Sequence, residues 1–442
     1  MKKTIYSILS LIALLSTSCN YLDVDPVGQV IPEKASEFRA LMTAGYKNFP
    51  DRHKSTVTIR TDELDLCSEY SWSYESWFDL ATWNDLSGNP KLMEFSYDGF
   101  YKTIFYANHI IAEESKIQDD DTESITQIVA EAYAMRAFAH FEMVNMYAQP
   151  YSNETLDSKA IPLSVVIDTE QTFPRATLRE VYAQIWSDIN SAEERMEIAI
   201  QPEDYRYRFS KESMLAFKAR VSLYQQDWQK AYDFATELIA LRPQLQDLNA
   251  EGSLPPYNYK SVEVVQSLTN FIHMDVRDDF PVSEKLLGLY NQDNDMRFAM
   301  YFKKGYGAYK INKGSTAAEK STFRMGEVYL NAAEAALQLN RIDEAKQLLA
   351  TLTSARLKPE FFASEQTRIA AYGKAEMVKE IADERQRELA LEGFRWYDLR
   401  RTTRARIEKS TFTNTYVLEE NDARYTLRFP KSAIANNPNL ID

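Results

Sequence analysis

Glycine is scarce in this chain, at 12 of 442 residues; cysteine is limited to two positions, histidine to four, and no block of lysines and arginines stands out. Each shortage removes a class of function. Few glycines leave little material for turns that cradle phosphates, and no Gly-x-Ser-x-Gly, P-loop or dinucleotide pattern occurs. His53, His109, His140 and His273 are scattered, with no His-Glu-x-x-His and no close pair at ligand spacing, so a zinc hydrolase has no support. Cys67 lacks a Cys-x-x-Cys companion and lies near Asp65 and Glu69, a setting that does not favour a thiolate nucleophile. The formal net charge of −14, with basic residues interleaved among acids, leaves no basic stripe for nucleic acid. The sequence therefore predicts no enzyme, no cofactor, no metal and no nucleic-acid partner.

What is present describes a folded helical body. The 442 residues could hold two or three packed lobes, and hydrophobic and charged fractions of 45% and 26% are ordinary for globular proteins. Plentiful aromatics (Tyr 27, Phe 22, Trp 6) beside scarce glycine favour packed helices.

Met1-Lys2-Lys3 precedes an apolar run from Ile5 to Leu15 and then Ser16-Thr17-Ser18-Cys19, the order of an export signal. The run is too short to span a bilayer comfortably. Cys19 after small residues resembles a bacterial lipoprotein signal, in which the cysteine becomes the lipid-bearing first residue. Leu15 lies one position further from the cysteine than usual and Ser18 replaces Gly or Ala, a looseness that resembles Bacteroidetes lipoproteins. With an ordinary cleaved signal Cys19 would be an incidental thiol having Cys67 alone as a partner; a lipid anchor explains it better and holds the protein to a membrane without a spanning helix. Residues 1–18 thus read as leader, Cys19 as lipid attachment, and 19–35, with Asp23, Pro26, Gly28 and Pro32, as an extended tether.

Helices follow. From Ser124 to Tyr147, Ile128, Val129, Tyr133, Ala137, Phe141 and Val144 recur at three- and four-residue spacing and mark one apolar face of a long helix, closed by Pro150. Glu212 to Pro243 reads as two helices joined near Gln226-Asp227, with Ala219, Ala231 and Pro243 at the small, small and Pro positions of a tetratricopeptide-type hairpin. Gly326 to Leu357 repeats the pattern with Ala333 and Ala345 and a turn at Asn340-Arg341. Small residues at those positions let paired helices approach closely. Leu64 to Pro90 and Asn249 to Thr322 lack helical periodicity and read as long loops, where binding usually resides.

The run Asp383-Glu384-Arg385-Gln386-Arg387-Glu388-Leu389-Ala390-Leu391-Glu392-Gly393-Phe394-Arg395-Trp396-Tyr397-Asp398-Leu399-Arg400-Arg401 resembles the C-terminal signature helix of the SusD/RagB family. Glu327 to Ala335 resembles the family's tetratricopeptide-like helix, Ala134 to Phe138 a further family helix, and Tyr21-Leu22-Asp23 the segment after the lipidated cysteine. The C-terminus departs from the family's Pro-Ile-Pro and Gln-Asn-Pro-Gly-Tyr endings: Phe429-Pro430-Lys431 is followed by Asn436-Asn437-Pro438-Asn439-Leu440. Within the signature, Glu384, Glu388 and Glu392 form an i, i+4, i+8 stripe whose repulsion Arg385, Arg387 and Arg395 are placed to offset; a salt-bridge network is expected there rather than an acid/base pair.

The resemblance implies an all-α, SusD-like fold of tetratricopeptide-type hairpins with long loop insertions. It divides into an N-terminal part over 36–205 and a C-terminal part over 206–442, forming one body. It implies a surface lipoprotein on the extracellular face of the outer membrane that captures oligosaccharide and delivers it to a TonB-dependent, SusC-like barrel. A peptide-binding relative and a protein-interaction scaffold remain the alternatives. From the residues, Trp72, Tyr74, Trp77 and Trp83, interleaved with serines, form a candidate platform for sugar or peptide, the alternative being that these rings pack the base of the loop into the helical core; Tyr257 and Tyr259 with Phe271, Asn258 and Asn270 form a second candidate wall.

Overall fold

Ser124, Thr177, Ser210 and Asp227 each cap the start of a long helix. The computed structural model describes residues 32–67, 72–168 and 172–441; the leader, Cys19 and most of the tether lie outside the described residues, as does the side chain of Trp72. Helix α1 (Ala35–Asn48) packs on the later α4, followed by α2 (His53–Thr58), α3 (Trp72–Ala81), α4 (Asp98–Glu113) and α5 (Ile125–Tyr147). Ser124 caps α5, its hydroxyl accepting from the Gln127 amide. Helix α5 is not an amphipathic surface helix: almost its whole circumference is buried, because α1, α4, α6 and α7 pack around it. Its charged residues are therefore paired, Glu131 with Arg39 at 2.7 Å and Arg136 with Asp188 at 2.6 Å.

Strands β1 (Lys159–Pro162) and β2 (Arg175–Thr177) form an antiparallel ribbon before α6 (Leu178–Arg195), which Thr177 and Glu180 start with a capping box. Helices α7 (Lys211–Tyr224) and α8 (Trp228–Leu241) form the first predicted hairpin; Gln226 turns it at φ +60°, and Asp227 caps α8. The segment that follows carries β3 (Val264–Gln266), α9 (Met274–Asp279), α10 (Glu284–Leu287), α11 (Arg297–Tyr301), β4 (Phe302–Lys304), β5 (Tyr309–Ile311) and β6 (Phe323–Arg324). The second hairpin is α12 (Met325–Gln338) and α13 (Ile342–Ser354), turned at Asn340 with φ +64°. Ala219, Ala231, Ala333 and Ala345 are all fully buried, and α8 packs on α12, so the small residues sit where helices approach.

The chain continues through α14 (Pro359–Ala370), α15 (Lys374–Glu388), α16 (Arg395–Arg401), an antiparallel hairpin of β7 (Ile407–Ser410) and β8 (Thr415–Leu418), and α17 (Lys431–Asn436). One apolar cluster runs from Ala35 to Leu427. Two expectations change. The signature region is not one helix: Leu391 (φ +64°) and Gly393 (φ +84°) break it, since left-handed residues cannot continue a right-handed helix, and Glu392 lies in the turn. The segment 64–90 is not a loop throughout, because α3 occupies its middle. No described helix is long and apolar enough to cross a membrane.

Candidate functional site

The aromatic residues singled out in the sequence are mostly structural. Tyr74, Trp77, Leu80 and Ala81 fall on one face of α3, and that face is buried. The Trp77 indole donates to Asp275 at 3.4 Å and lies against His273; Tyr74 stacks on Phe280 and donates to the Cys67 carbonyl at 3.0 Å. Trp83, at φ +58°, is buried and donates to the Arg60 carbonyl at 3.0 Å. Tyr257 and Phe271 are also buried, ring to ring at 5.4 Å, with the Lys313 ammonium 4.7 Å from the Tyr257 ring. Trp77, Trp83, Tyr74 and Tyr257 are thus corrected to core residues: without exposed faces they have nothing to offer a sugar ring. Tyr259 is half-buried and, with Asn270, lines a cleft of about 650 Å³ that also holds Asp51, Glu203 and Asp204. A groove of about 1050 Å³ runs beside α4 and α17, with Tyr97, Tyr101 and Phe105 facing Glu94 and Asp98.

A different surface has the exposed aromatics. Tyr306, in the turn between β4 and β5, and Phe412, in the turn between β7 and β8, are 102% and 90% exposed, the two most exposed aromatic side chains among the described residues. They flank one cleft of about 640 Å³. Leu66, Cys67 and Pro281 also line it, and Lys310, Ser410 and Thr411 supply polar groups. Leu66 and Cys67 come from the first long non-helical region and Tyr306 and Lys310 from the second, so the fold brings the two together.

Both hairpins are rigidly seated. In the first turn the Gly305 amide donates to the Ala308 carbonyl at 2.9 Å, and Gly307 takes φ +72°, a conformation that a residue with a Cβ resists. At the base of that hairpin Phe298, Phe302, Tyr290 and Tyr309 pack edge to face. In the second, Thr411 and Asn414 exchange hydrogen bonds across the turn, and Tyr416 meets Phe78 of α3 edge-on at 5.5 Å. The aromatic helix α3 is therefore a support beneath the cleft.

A buried ionic network clamps the first hairpin from both ends. Arg297, which opens α11 and so leads into β4, donates to Glu384 at 2.5 Å and Glu388 at 2.9 Å. Lys313, two residues beyond β5, donates to Glu392 at 2.7 Å and to the Ala390 carbonyl at 2.9 Å. Arg324 bridges Glu388 and Glu392, and Arg356 bridges Glu388 and Glu263. Burial works against charge on Glu388, but Arg356 and Arg324 outweigh it and hold the carboxyl well below its ordinary range. Of the cations expected to offset the stripe, only Arg387 does so, at Glu384; Arg385 binds Asp398 and Arg395 binds Asp62.

The second hairpin is pinned by Lys409 of β7, which is buried, donates to the Ile59 carbonyl and lies 5.6 Å from the Trp83 ring centre. Burial lowers its pKa to about 7 against the attraction of Asp65 and Asp62. The unfolded chain keeps an ordinary lysine value near 10.4, so between the two values it binds more protons than the folded chain, and stability rises with pH. Lys54 and Lys313, lowered by burial to about 8, act in the same sense above that value; Glu63, raised by burial to about 8, opposes them below it. Urea unfolding from pH 8 to 9.5 should therefore show rising stability, with Lys409→Met removing about 1 kcal/mol per pH unit of the slope. An unchanged slope in the variant would show that Lys409 titrates as in the unfolded chain.

Among the described residues no group of three or more His, Cys, Asp or Glu side chains could hold a metal ion.

Comparison with known proteins places this geometry in context. A family described as starch-binding and associating with the outer membrane matches residues 20–223, and the SusD family matches residues 269–441, together most of the chain. A SusD-like protein of Formosa agariphila is 26% identical over 397 residues, covering 73% of this chain and 75% of that protein. The fold is that of a SusD superfamily protein from Bacteroides thetaiotaomicron (TM-score 0.74, 21% identity, 92% of this chain and 98% of that one). It is also that of a SusD-like carbohydrate binding protein from Bacteroides vulgatus (TM-score 0.69, 18% identity, 92% and 97%).

Proposed function

The chain belongs to the SusD family, and from that premise we propose that it captures an oligosaccharide in the cleft between Tyr306 and Phe412 and delivers it to a TonB-dependent outer-membrane transporter. The single observation that carries the reading is that the two most exposed aromatic rings among the described residues line one cleft, each from the turn of a different hairpin. Water-exposed aromatic surface at the tips of two well-anchored turns does nothing for folding. The apolar faces of a pyranose ring stack on such surfaces, while hydroxyls hydrogen-bond to groups such as Ser410 and Thr411. Family members are binding proteins rather than enzymes.

Attachment is proposed to run through lipid on Cys19, which would hold the body at the outer membrane, where the family associates, and leave the cleft on the extracellular side. The tether after Cys19 would give the body room to move against a barrel partner.

The test is isothermal titration of the full chain in detergent against panels of oligosaccharides and peptides, repeated with Tyr306→Ala and Phe412→Ala. Loss of one stacking ring should weaken glycan binding about tenfold, the equivalent of roughly 1.4 kcal/mol. Glycan binding that survives in the double variant, or silence toward glycans beside a peptide signal, would overturn the reading.

A further inference from the structure

The cleft between the hairpins differs from the two other large clefts in its charge. Those contain more carboxylates than cations, Glu94 and Asp98 beside Lys102 in one and Asp51, Glu203 and Asp204 beside Lys47 and Lys320 in the other. No described residue lining the hairpin cleft is an Asp or Glu, and one, Lys310, is a cation. In a chain with 65 acidic and 51 basic residues that is not the average surface.

The hairpin adds to this. Lys303 stands directly opposite Lys310 in the antiparallel register, so both side chains leave the same face, an arrangement of like charges that costs stability unless something negative lies between them. Lys304 follows, exposed. Among the described residues none of the three has a carboxylate within ion-pair distance, the pairs on either side in the chain being Arg297 with Glu388 and Lys313 with Glu392. Lys310 donates to the Asp279 carbonyl at 3.1 Å, which fixes its ammonium and leaves two N–H groups to offer. Asp278, the carboxylate that both Lys303 and Lys310 stabilise, is taken by Arg277 through both oxygens at 2.8 and 2.9 Å. Across α9 and the hairpin, Arg277, Lys303, Lys304 and Lys310 face two carboxylates, Asp278 and Asp279. Lys409, on the opposite hairpin, points away from the cleft to the Ile59 carbonyl.

The geometry points to an acidic saccharide as the ligand, one bearing a carboxylate or a sulfate ester on the sugar held in the cleft that Tyr306 and Phe412 line, with Lys310 as its counter-ion and Lys303, its cross-strand partner, adding to the positive field. This rests on the capture reading above and adds the class of glycan. An ammonium is a compact point charge that suits either anion, whereas the acidic remainder of the protein repels polyanions elsewhere and so confines them to this face.

The experiment titrates full-length protein with three oligosaccharides of equal length: neutral, uronate-containing and sulfated. Wild type should bind at least one acidic member ten times more tightly than the neutral one at 50 mM salt, with the advantage shrinking at 500 mM. Lys303→Gln with Lys310→Gln should weaken acidic binding about tenfold and leave neutral binding within twofold, with a melting temperature no lower than that of wild type. The uronate and sulfate arms tell which anion is read. Neutral binding equal to or tighter than both acidic arms, or acidic binding untouched by the double substitution, overturns the proposal. If neutral glycan binds and responds to Tyr306→Ala while the acidic arms show no advantage, the capture reading stands and the acidic one falls; if no glycan binds, both fall.

Discussion

Replacing Glu388 by glutamine should destabilise the protein by about 3–5 kcal/mol and weaken ligand capture as well. Glu388 is fully buried and accepts from Arg297 at 2.9 Å, from Arg356 at 2.9 and 3.0 Å, and from Arg324. Glutamine has the same shape but turns an N–H₂ toward one of these guanidiniums and removes the charge that offsets them. Each arginine then keeps its remaining carboxylates, Arg356 with Glu263, Arg297 with Glu384 and Asp295, and Arg324 with Glu392, which Lys313 shares. The cost belongs to three buried guanidiniums that lose the shared charge between them and have no route to water. Urea unfolding should show a lowered midpoint at similar slope. Arg297 loses one of its three carboxylate partners, keeping Asp295 and Glu384, and it opens the helix that leads into the Tyr306 hairpin, so glycan affinity should fall in the folded variant too. An unchanged midpoint would mean that the three arginines are satisfied without Glu388, and unchanged affinity would separate the network from the cleft.

That network also marks how far the sequence could be read. The helical hairpins were legible because their information is local: Ala219 with Ala231 and Ala333 with Ala345 lie twelve residues apart, and Gln226 and Asn340 tolerate the left-handed turn conformation. The glutamate stripe was legible as a salt-bridge network, but its partners were not, because Arg297, Lys313, Arg324 and Arg356 reach it from distant segments. The same long-range pull explains the break in the signature helix: Glu392 meets Lys313 and Arg324 from a turn.

Of the two readings of the aromatic segment, core packing prevails over the sugar platform for a local reason. Serines between Trp72 and Trp77 gave the segment a polar look, yet Tyr74, Trp77, Leu80 and Ala81 carry the three- and four-residue spacing of a buried helix face. The exposed rings had their own signal. Tyr306 sits in Gly-Tyr-Gly and Phe412 in Thr-Phe-Thr-Asn, turn sequences in which an aromatic has no core to enter. A large ring in such a turn is a better pointer to a binding surface than a cluster of rings at helical spacing.

Gly326→Ala sets two local rules against each other, and their magnitudes decide the outcome. Gly326 is the second residue of α12, and alanine is favoured over glycine inside a helix by about 0.5–1 kcal/mol, so propensity alone predicts stabilisation. A Cβ at this position would overlap Arg324 Nη1 and Glu388 Oε1. Both atoms end long side chains that on a surface would swing aside. Here Arg324 is held by Glu388, Glu392 and the Glu388 carbonyl, and Glu388 is held by Arg297 and Arg356, all of them buried. The methyl group must strain the helix start or part a buried ion pair, and overpacking of that kind costs about 1–3 kcal/mol before any lost pairing. The expected net effect is a loss of about 2–4 kcal/mol, read as a lower urea midpoint, with Gly88→Ala as the control because open space surrounds that position. A stabilised Gly326→Ala protein would show that the network yields to a methyl group, and a network that yields could not be what holds the Tyr306 hairpin in place.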